Sequence, residues 1–304
     1  MKKRRLGNSD LAISEISLGC MSLGTDIKQA KHIVDQAIDN GINYFDTADL
    51  YDNGKNEALL GEILKHKRKD ILLATKVGNH LKNDGTWYWD PSKKYIKEQV
   101  KNSLRRLQTD YIDLYQLHGG TIEDNFDETI EAFEELVNEG LIRYYGISSI
   151  RPNVINYYRK HSTIISNMMQ YSLFDRRPEE LFQHFKENNI SVVTRGTLAK
   201  GLLSKDGKTL IDQKAKDGYL TYDSNEVNHT ILQLENILEE NQTLTGLALA
   251  YVLQEEAVSS TVLGASSPEQ LKENIQAYEQ HFSKEQLTEA ASITKQSIYT
   301  QHRE

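Results

Sequence analysis

Short β-branched and aromatic runs alternate with stretches of helical spacing along the whole of this 304-residue chain. The runs are "AISEISLG" (12–19), "INYFDTA" (42–48), "ILLATKV" (71–77), "YIDLYQLH" (111–118), "IRYYGIS" (142–148), "IISNMMQYS" (164–172), "ISVVTRG" (190–196) and "SSTVLGA" (259–265). Each is short enough and apolar enough to be a buried strand. Between the first two, Ala30, Ile33, Val34, Ala37 and Ile38 recur at helical intervals until Gly41 stops the pattern. "KNEALLGEILKHKR" is a second helix, and Ser92 caps a third whose Ile96, Val100, Leu104 and Leu107 share one face. Phe126, Ile130, Phe133 and Val137 line the next, which closes at Gly140. Strand–helix alternation implies parallel strands, because a parallel pair needs a crossover connection. Eight such units predict an α/β fold of the closed (β/α)8 TIM-barrel type rather than an open doubly wound sheet.

The ends of the pattern refine this picture. "LGNSDLAISEI" reads as an opening N-terminal hairpin, and the polar, turn-rich segment 200–226 reads as a long loop after the seventh strand, over the barrel mouth. No Pro/Ser-rich linker divides the chain, and two of its four prolines, Pro178 and Pro268, stand where helices should begin. A single domain over residues 1–304 is expected.

Composition narrows the class without naming a function. With 38% hydrophobic and 26% charged residues, the chain is ordinary for a packed globular protein. A net charge of −8 argues against a broad nucleic-acid footprint, and the "KKRR" cluster at 2–5 is short. No apolar stretch approaches the roughly 18 residues of a membrane span, and no signal-type run follows the charged start. The single cysteine, Cys20, excludes an intrachain disulfide framework. These features predict a cytoplasmic protein with no nucleic-acid or membrane partner, and imply no oligomeric one.

In a barrel of this kind chemistry belongs at the C-terminal ends of the strands. That rule selects Asp46 after strand 2, Lys76 after strand 3 and His118 after strand 4, with Tyr51 on the loop beyond Asp46. A lysine at the tip of a buried strand needs a counter-charge, which Asp46 can supply. A phenol is ordinarily a poor acid near neutrality, with a pKa of about 10. A neighbouring ammonium favours its deprotonated form, so Lys76 makes Tyr51 a better proton donor. Taken singly, Asp46 reads as a turn cap, Tyr51 as packing, Lys76 as a snorkelling rim residue and His118 as a satisfied turn histidine. Arrival on consecutive strands favours the joint reading: donation of a proton to a carbonyl oxygen as hydride reaches the carbon. The remaining histidines are scattered, without a thiolate pair or a His-x-x-x-His spacing, so no metal site is expected. Neither Gly-x-Gly-x-x-Gly nor a Walker motif occurs. A phosphate site is nonetheless available where Ser267 caps a helix opened by Pro268, with Gln270 in the capping-box position.

Five segments together resemble the aldo-keto reductases: "LGNSDLAISEISLGCMSLG" (6–24), "FDTADLYDNGKNEALLG" (45–61), "LLATKVG" (72–78), "SLRRLQTDYIDLYQLH" (103–118) and "GASSPEQLKEN" (264–274). The resemblance covers essentially the whole chain. It implies NAD(P)(H) extended across the barrel mouth, reduction of an aldehyde or ketone, and a tetrad of Asp46, Tyr51, Lys76 and His118 with Tyr51 as general acid. It also implies cofactor contacts at Gly19, Met21, Asp46, Ser148, Ser149, Gln170, Arg195, Leu198, Lys200, Gly264, Ser266, Gln270 and Asn274.

The chain departs from the family pattern in three respects. Serines at 266 and 267 stand near where many relatives carry a basic residue for the 2′-phosphate, so NADP(H) is favoured over NAD(H) only weakly. Ser149 replaces an asparagine, and the usual glutamine of strand 6 aligns with Met168, leaving Gln170 two positions on. Arg195 takes the place of an aromatic that stacks on nicotinamide; next to the oxidised, cationic ring a guanidinium is disfavoured, which hints at preference for the reduced cofactor. Trp87 and Trp89 in "NDGTWYWDPS" are candidate substrate-pocket walls, one of them alternatively an anchor for its loop. Two competing functions remain: a Schiff-base aldolase using Lys76, and a cofactor-binding regulatory subunit with little turnover.

Overall fold

The computed structural model describes residues 1–82 and 84–303. Eight strands form a closed barrel: β1 (Ile16–Gly19), β2 (Tyr44–Asp46), β3 (Leu72–Val77), β4 (Ile112–Leu117), β5 (Ile142–Ile147), β6 (Ser166–Gln170), β7 (Ser191–Arg195) and β8 (Val258–Gly264). Each pairs in parallel with its successor, and β8 closes on β1 with Gly264 opposite Gly19. The register then sets Asp46 beside Gly19 and Lys76 beside Gln116, so chemistry-bearing residues finish level at one end. The chain is thus a (β/α)8 barrel, as the alternation predicts.

Alternating side chains divide the core in two. One set packs the strands against the surrounding helices, as Ile33, Val34, Ile96, Val100 and Phe133 do. A second cluster gathers Tyr44, Ala74, Leu114, Met168 and Val193 with Leu6, Leu11 and Ile13. The last three come from the N-terminal hairpin, in which Lys3–Arg5 pairs antiparallel with Ala12–Ser14 and closes the barrel floor. Arg4 fastens this hairpin through Nε to Glu15 (2.7 Å) and through its other nitrogens to the carbonyls of Leu253, Glu255 and Val258. Part of the basic N-terminal cluster is therefore a structural clasp.

Three local features differ from the sequence reading. The first predicted strand divides at Glu15 into a hairpin arm and β1. A second hairpin, Asn79–Leu81 with Trp87–Trp89, follows β3. The segment 200–226 is not an irregular loop: it holds the helix Gly207–Lys214 and the start of Ser224–Asn236, whose Asp223 and Glu226 form a reciprocal capping box. Leu202, Leu203, Ala215, Tyr219 and Tyr222 are its buried anchors, set too far apart among lysines and aspartates to show a period.

Candidate active site

Asp46 and Lys76 lie deepest at the C-terminal rim, 4% and 1% exposed. Lys76 Nζ donates to Asp46 Oδ2 (2.6 Å) and to the Thr47 carbonyl (2.7 Å). Burial alone would lower the lysine's pKa, but the Asp46 carboxylate and the phenol of Tyr51 outweigh it and move it above the ordinary value. Lys76 is held as an ammonium. Its charge stands 5.2 Å from the centre of the Tyr51 ring.

Tyr51 is carried on a loop whose shape its sequence dictates. Asp52, Asn53 and Gly54 take three successive left-handed conformations, at φ 49°, 55° and 82°. Aspartate, asparagine and glycine are the residues that accept this region most readily. Thr47 Oγ1 donates to Asn56 Oδ1 (2.6 Å), and Asn56 Nδ2 donates to the Cys20 carbonyl (2.8 Å), tying both ends of the loop to the turn after β1. Beneath it Glu57, fully buried, accepts from Thr75 Oγ1 (2.6 Å) and from Arg106 Nε (2.7 Å). Asp49 accepts from Gln99 Nε2 (3.1 Å), and burial followed by the nearby Glu57 charge pushes its carboxyl up to about 7. Sequence reading treated Asn56 and Glu57 only as the start of a helix and passed over Asp49. The acid pair becomes visible only when Gln99 and Arg106 arrive from a later helix.

His118 stands at the end of β4, its ring edge-on to Tyr51 with centroids 6.1 Å apart. Burial, then the charges of Lys76 and Arg195, push its pKa down to about 3, so the imidazole is neutral at physiological pH. Its Nδ1 has no hydrogen-bond partner, and neither do Asp46 Oδ1 and the two amide atoms of Gln116 nearby on the barrel interior. Buried polar atoms rarely stay unpaired. Their concentration at this rim marks a place where polar groups of a bound molecule or water would complete the set. Gln116, level with Lys76, belongs to this layer and was not singled out by sequence reading; only its inward register on β4 could have revealed it.

The other residues expected to bind cofactor also lie along the C-terminal rim or on the turns beyond it. Gly19 and Gly264 end adjacent strands, and a Cβ on Gly264 would collide with the Ser22 hydroxyl. Met21, on the turn after β1, is 62% exposed. Ser148 follows β5, while Ser149 is buried and exchanges hydrogen bonds with Asn167, backbone amide to Oδ1 and Nδ2 to carbonyl (both 3.1 Å). Gln170 ends β6 and accepts from Arg195 (3.1 Å), whereas Met168 lies a layer lower in the barrel core. Leu198 precedes a left-handed turn after β7 formed by Ala199 and Lys200, with Lys200 Nζ 5.8 Å from the Tyr219 ring centre. At the helix Pro268–Tyr278, Ser267 caps the Gln270 amide (3.2 Å). Gln270 does not return the bond to Ser267 as a capping box would; its Oε1 accepts from the Ser266 amide and hydroxyl instead. Asn274 Nδ2 reaches the Gly264 carbonyl (3.3 Å). Lys205 bridges to Glu273 across the adjoining cavity of about 220 Å³.

The two tryptophans have different surroundings. Trp89 packs over Gly78 and Gly119 and donates Nε1 to Asp124 (2.8 Å). Trp87 is 54% exposed. Both line a cavity of about 260 Å³ with His118, Ser148, Ser149, Arg151 and Arg195. Among the described residues no cluster of His, Cys, Asp and Glu could hold a metal ion.

Comparison with known proteins places the chain among relatives. The profile of the Aldo/keto reductase family matches residues 15–295. The oxidoreductase YqkF of Bacillus subtilis (strain 168), itself uncharacterized, is 56% identical over the full length of both chains. The holo form of aldo-keto reductase AKR11C1 from Bacillus halodurans is 54% identical and superposes over the whole of both chains at a TM-score of 0.94; its apo form does so at 0.86.

Proposed function

Since the chain belongs to the aldo/keto reductase family and is an NAD(P)H-dependent oxidoreductase, we propose that it reduces an aldehyde or ketone with Tyr51 as proton donor. The observation that carries this is the buried Lys76–Asp46 pair set under Tyr51, with neutral His118 at the same rim. The nicotinamide cofactor, when bound, supplies hydride to the carbonyl carbon. As electron density moves to the carbonyl oxygen, the Tyr51 hydroxyl gives up its proton there. Lys76, itself held as an ammonium, stabilises the negative charge left on the phenol. His118, neutral, orients the carbonyl through a ring nitrogen. Asp46 keeps Lys76 charged and aimed.

The residues present suit such a cofactor. Buried at the rim, His118 Nδ1 and the Gln116 amide await polar partners. Ser148, Ser149 and Gln170 would hold the carboxamide end, and Ser266, Gln270 and Asn274 the adenosine end. Arg195 would lie against the nicotinamide. The bonds that hold Lys76 as an ammonium argue against a Schiff-base nucleophile, which must be a free amine.

Tyr51→Phe should leave cofactor affinity within a few-fold while carbonyl reduction falls by about 10²–10⁴, the size of a general-acid contribution. Loss of NADPH absorbance with a simple aldehyde, alongside a cofactor titration, measures both. Undiminished turnover in the variant would remove Tyr51 from the mechanism. A wild type that binds dinucleotide but turns nothing over would favour the regulatory-subunit reading.

NADP(H) is accepted in preference to NAD(H), but weakly. Glu269 places a carboxylate at the helix start, held below its ordinary pKa by its own backbone amide and the Ser267 hydroxyl, where a 2′-phosphate would otherwise be favoured. Fluorescence titrations should give NADPH and NADH affinities within about tenfold, or 1.4 kcal/mol. A much larger NADPH advantage would contradict this.

A further inference from the structure

Resting on the reductase reading, we propose that Arg151 anchors an anionic group of the substrate, so that this site selects small carbonyl compounds bearing a carboxylate. The cavity of about 260 Å³ at the mouth is walled by Trp87, Trp89 and His118 and carries two guanidinium groups, Arg151 and Arg195, with no aspartate or glutamate in its lining. Arg195 is tied to Gln170 and lies toward the cofactor side already described. Arg151 is half-buried, and its side chain is held only by donation of one Nη1 bond to the Gly120 carbonyl (2.9 Å).

Among the described residues Arg151 makes no ion pair. Asp124 has its oxygens engaged by Thr121 and by Trp89 Nε1. Glu123, fully exposed, feels the Arg151 charge without pairing to it. A guanidinium facing a concave wall with unused donors is suited to a carboxylate, which it can grip with two parallel bonds. The indoles supply the apolar flanks for the rest of a small molecule. Arg151 is set in this position by the fold: it precedes Pro152 at the start of the helix after β5, and its amide donates to Ser149 Oγ (3.2 Å).

The test compares 4-oxobutanoate with butanal, which share a four-carbon chain and differ in the terminal charge, using NADPH as reductant. Wild type should favour the anion in kcat/KM by at least about tenfold. Arg151→Met should cut that ratio below about threefold, chiefly through KM for the anion, and Arg151→Lys should restore part of it. Binding gives an independent reading: benzoate should change the tryptophan fluorescence of wild type far more than benzamide does, and Arg151→Met should lose the difference. Equal kcat/KM for the two aldehydes, an unchanged ratio in Arg151→Met, or loss of the ratio in Arg195→Met alone would overturn the assignment. If butanal and 4-oxobutanoate both fail to consume NADPH while benzoate still binds through Arg151, the reductase reading fails and the anion site survives it.

Discussion

Asp49 shows how a single side chain can set the conditions under which the loop that carries Tyr51 holds its shape. Its carboxyl, pushed up to about 7 first by burial and then by Glu57, lies near Gln99, Arg106, Tyr95 and the unpartnered hydroxyl of Tyr115. Above its ordinary pKa of 3.8 the unfolded chain releases this proton while the folded chain keeps it. Its contribution to stability is therefore whole in acid and fades as pH climbs towards 7. Asp49→Asn should remove that decline. Melting curves at pH 4.5 and 8 should show the variant gaining on wild type at the higher pH, by an amount worth about 1–3 kcal/mol. A difference between variant and wild type that stays flat with pH would show that Asp49 is ionised throughout. At this scale the sequence is legible where a residue ends an apolar run, as Asp46, Lys76 and His118 do. It is mute where a role depends on partners some fifty residues away: Asp49 needs Gln99, and Glu57 needs Arg106.

At the scale of elements, the hairpin Asn79–Leu81/Trp87–Trp89 is the piece the periodicity did not reveal, because its arms are only three residues each. It is built inward from glycine. Gly78 adopts φ +127°, and a Cβ there would stand 2.5 Å from the Trp89 ring. Gly78→Ala should therefore displace Trp89 and cost about 1–3 kcal/mol. The expected signature is a raised KM for carbonyl substrate with the cofactor Kd within about twofold of wild type, since Trp87 and Trp89 of the hairpin wall the cavity proposed for substrate. A raised cofactor Kd with normal KM would reverse that assignment. His80 stabilises the same hairpin by stacking against Tyr88 and Tyr95, at 4.6 and 4.2 Å, and by its Nδ1 contact with Asp90 (2.9 Å). The long helices, by contrast, declare themselves through caps and stripes: Ser92 caps Lys93–Leu107, and Asn125 caps Phe126–Asn138.

At the scale of the whole molecule, alternation of eight runs with helices was enough to predict the barrel, because parallel pairing and closure leave few other arrangements. What alternation could not convey is that the floor is closed by the N-terminal arm. Leu6 and Leu11 are 0% and 2% exposed within the inner cluster, so this arm is part of the barrel core. Leu11→Ala should lower unfolding free energy by about 2–5 kcal/mol in a denaturant titration. The rate constant for reduction should hold in the folded fraction, because the cavity opens at the face opposite Tyr51 and Lys76, the proposed catalytic pair. A loss below about 1 kcal/mol would mean that the hairpin closes the barrel without bearing on its stability.

Cys20 is the only cysteine in the chain, and the fold seals it away completely. The protein thus comes with a blank background for thiol-directed dyes. A Leu220→Cys variant, at an outward position on the segment beyond β7, would accept a single fluorophore and turn that segment into an optical gauge of ligand arrival.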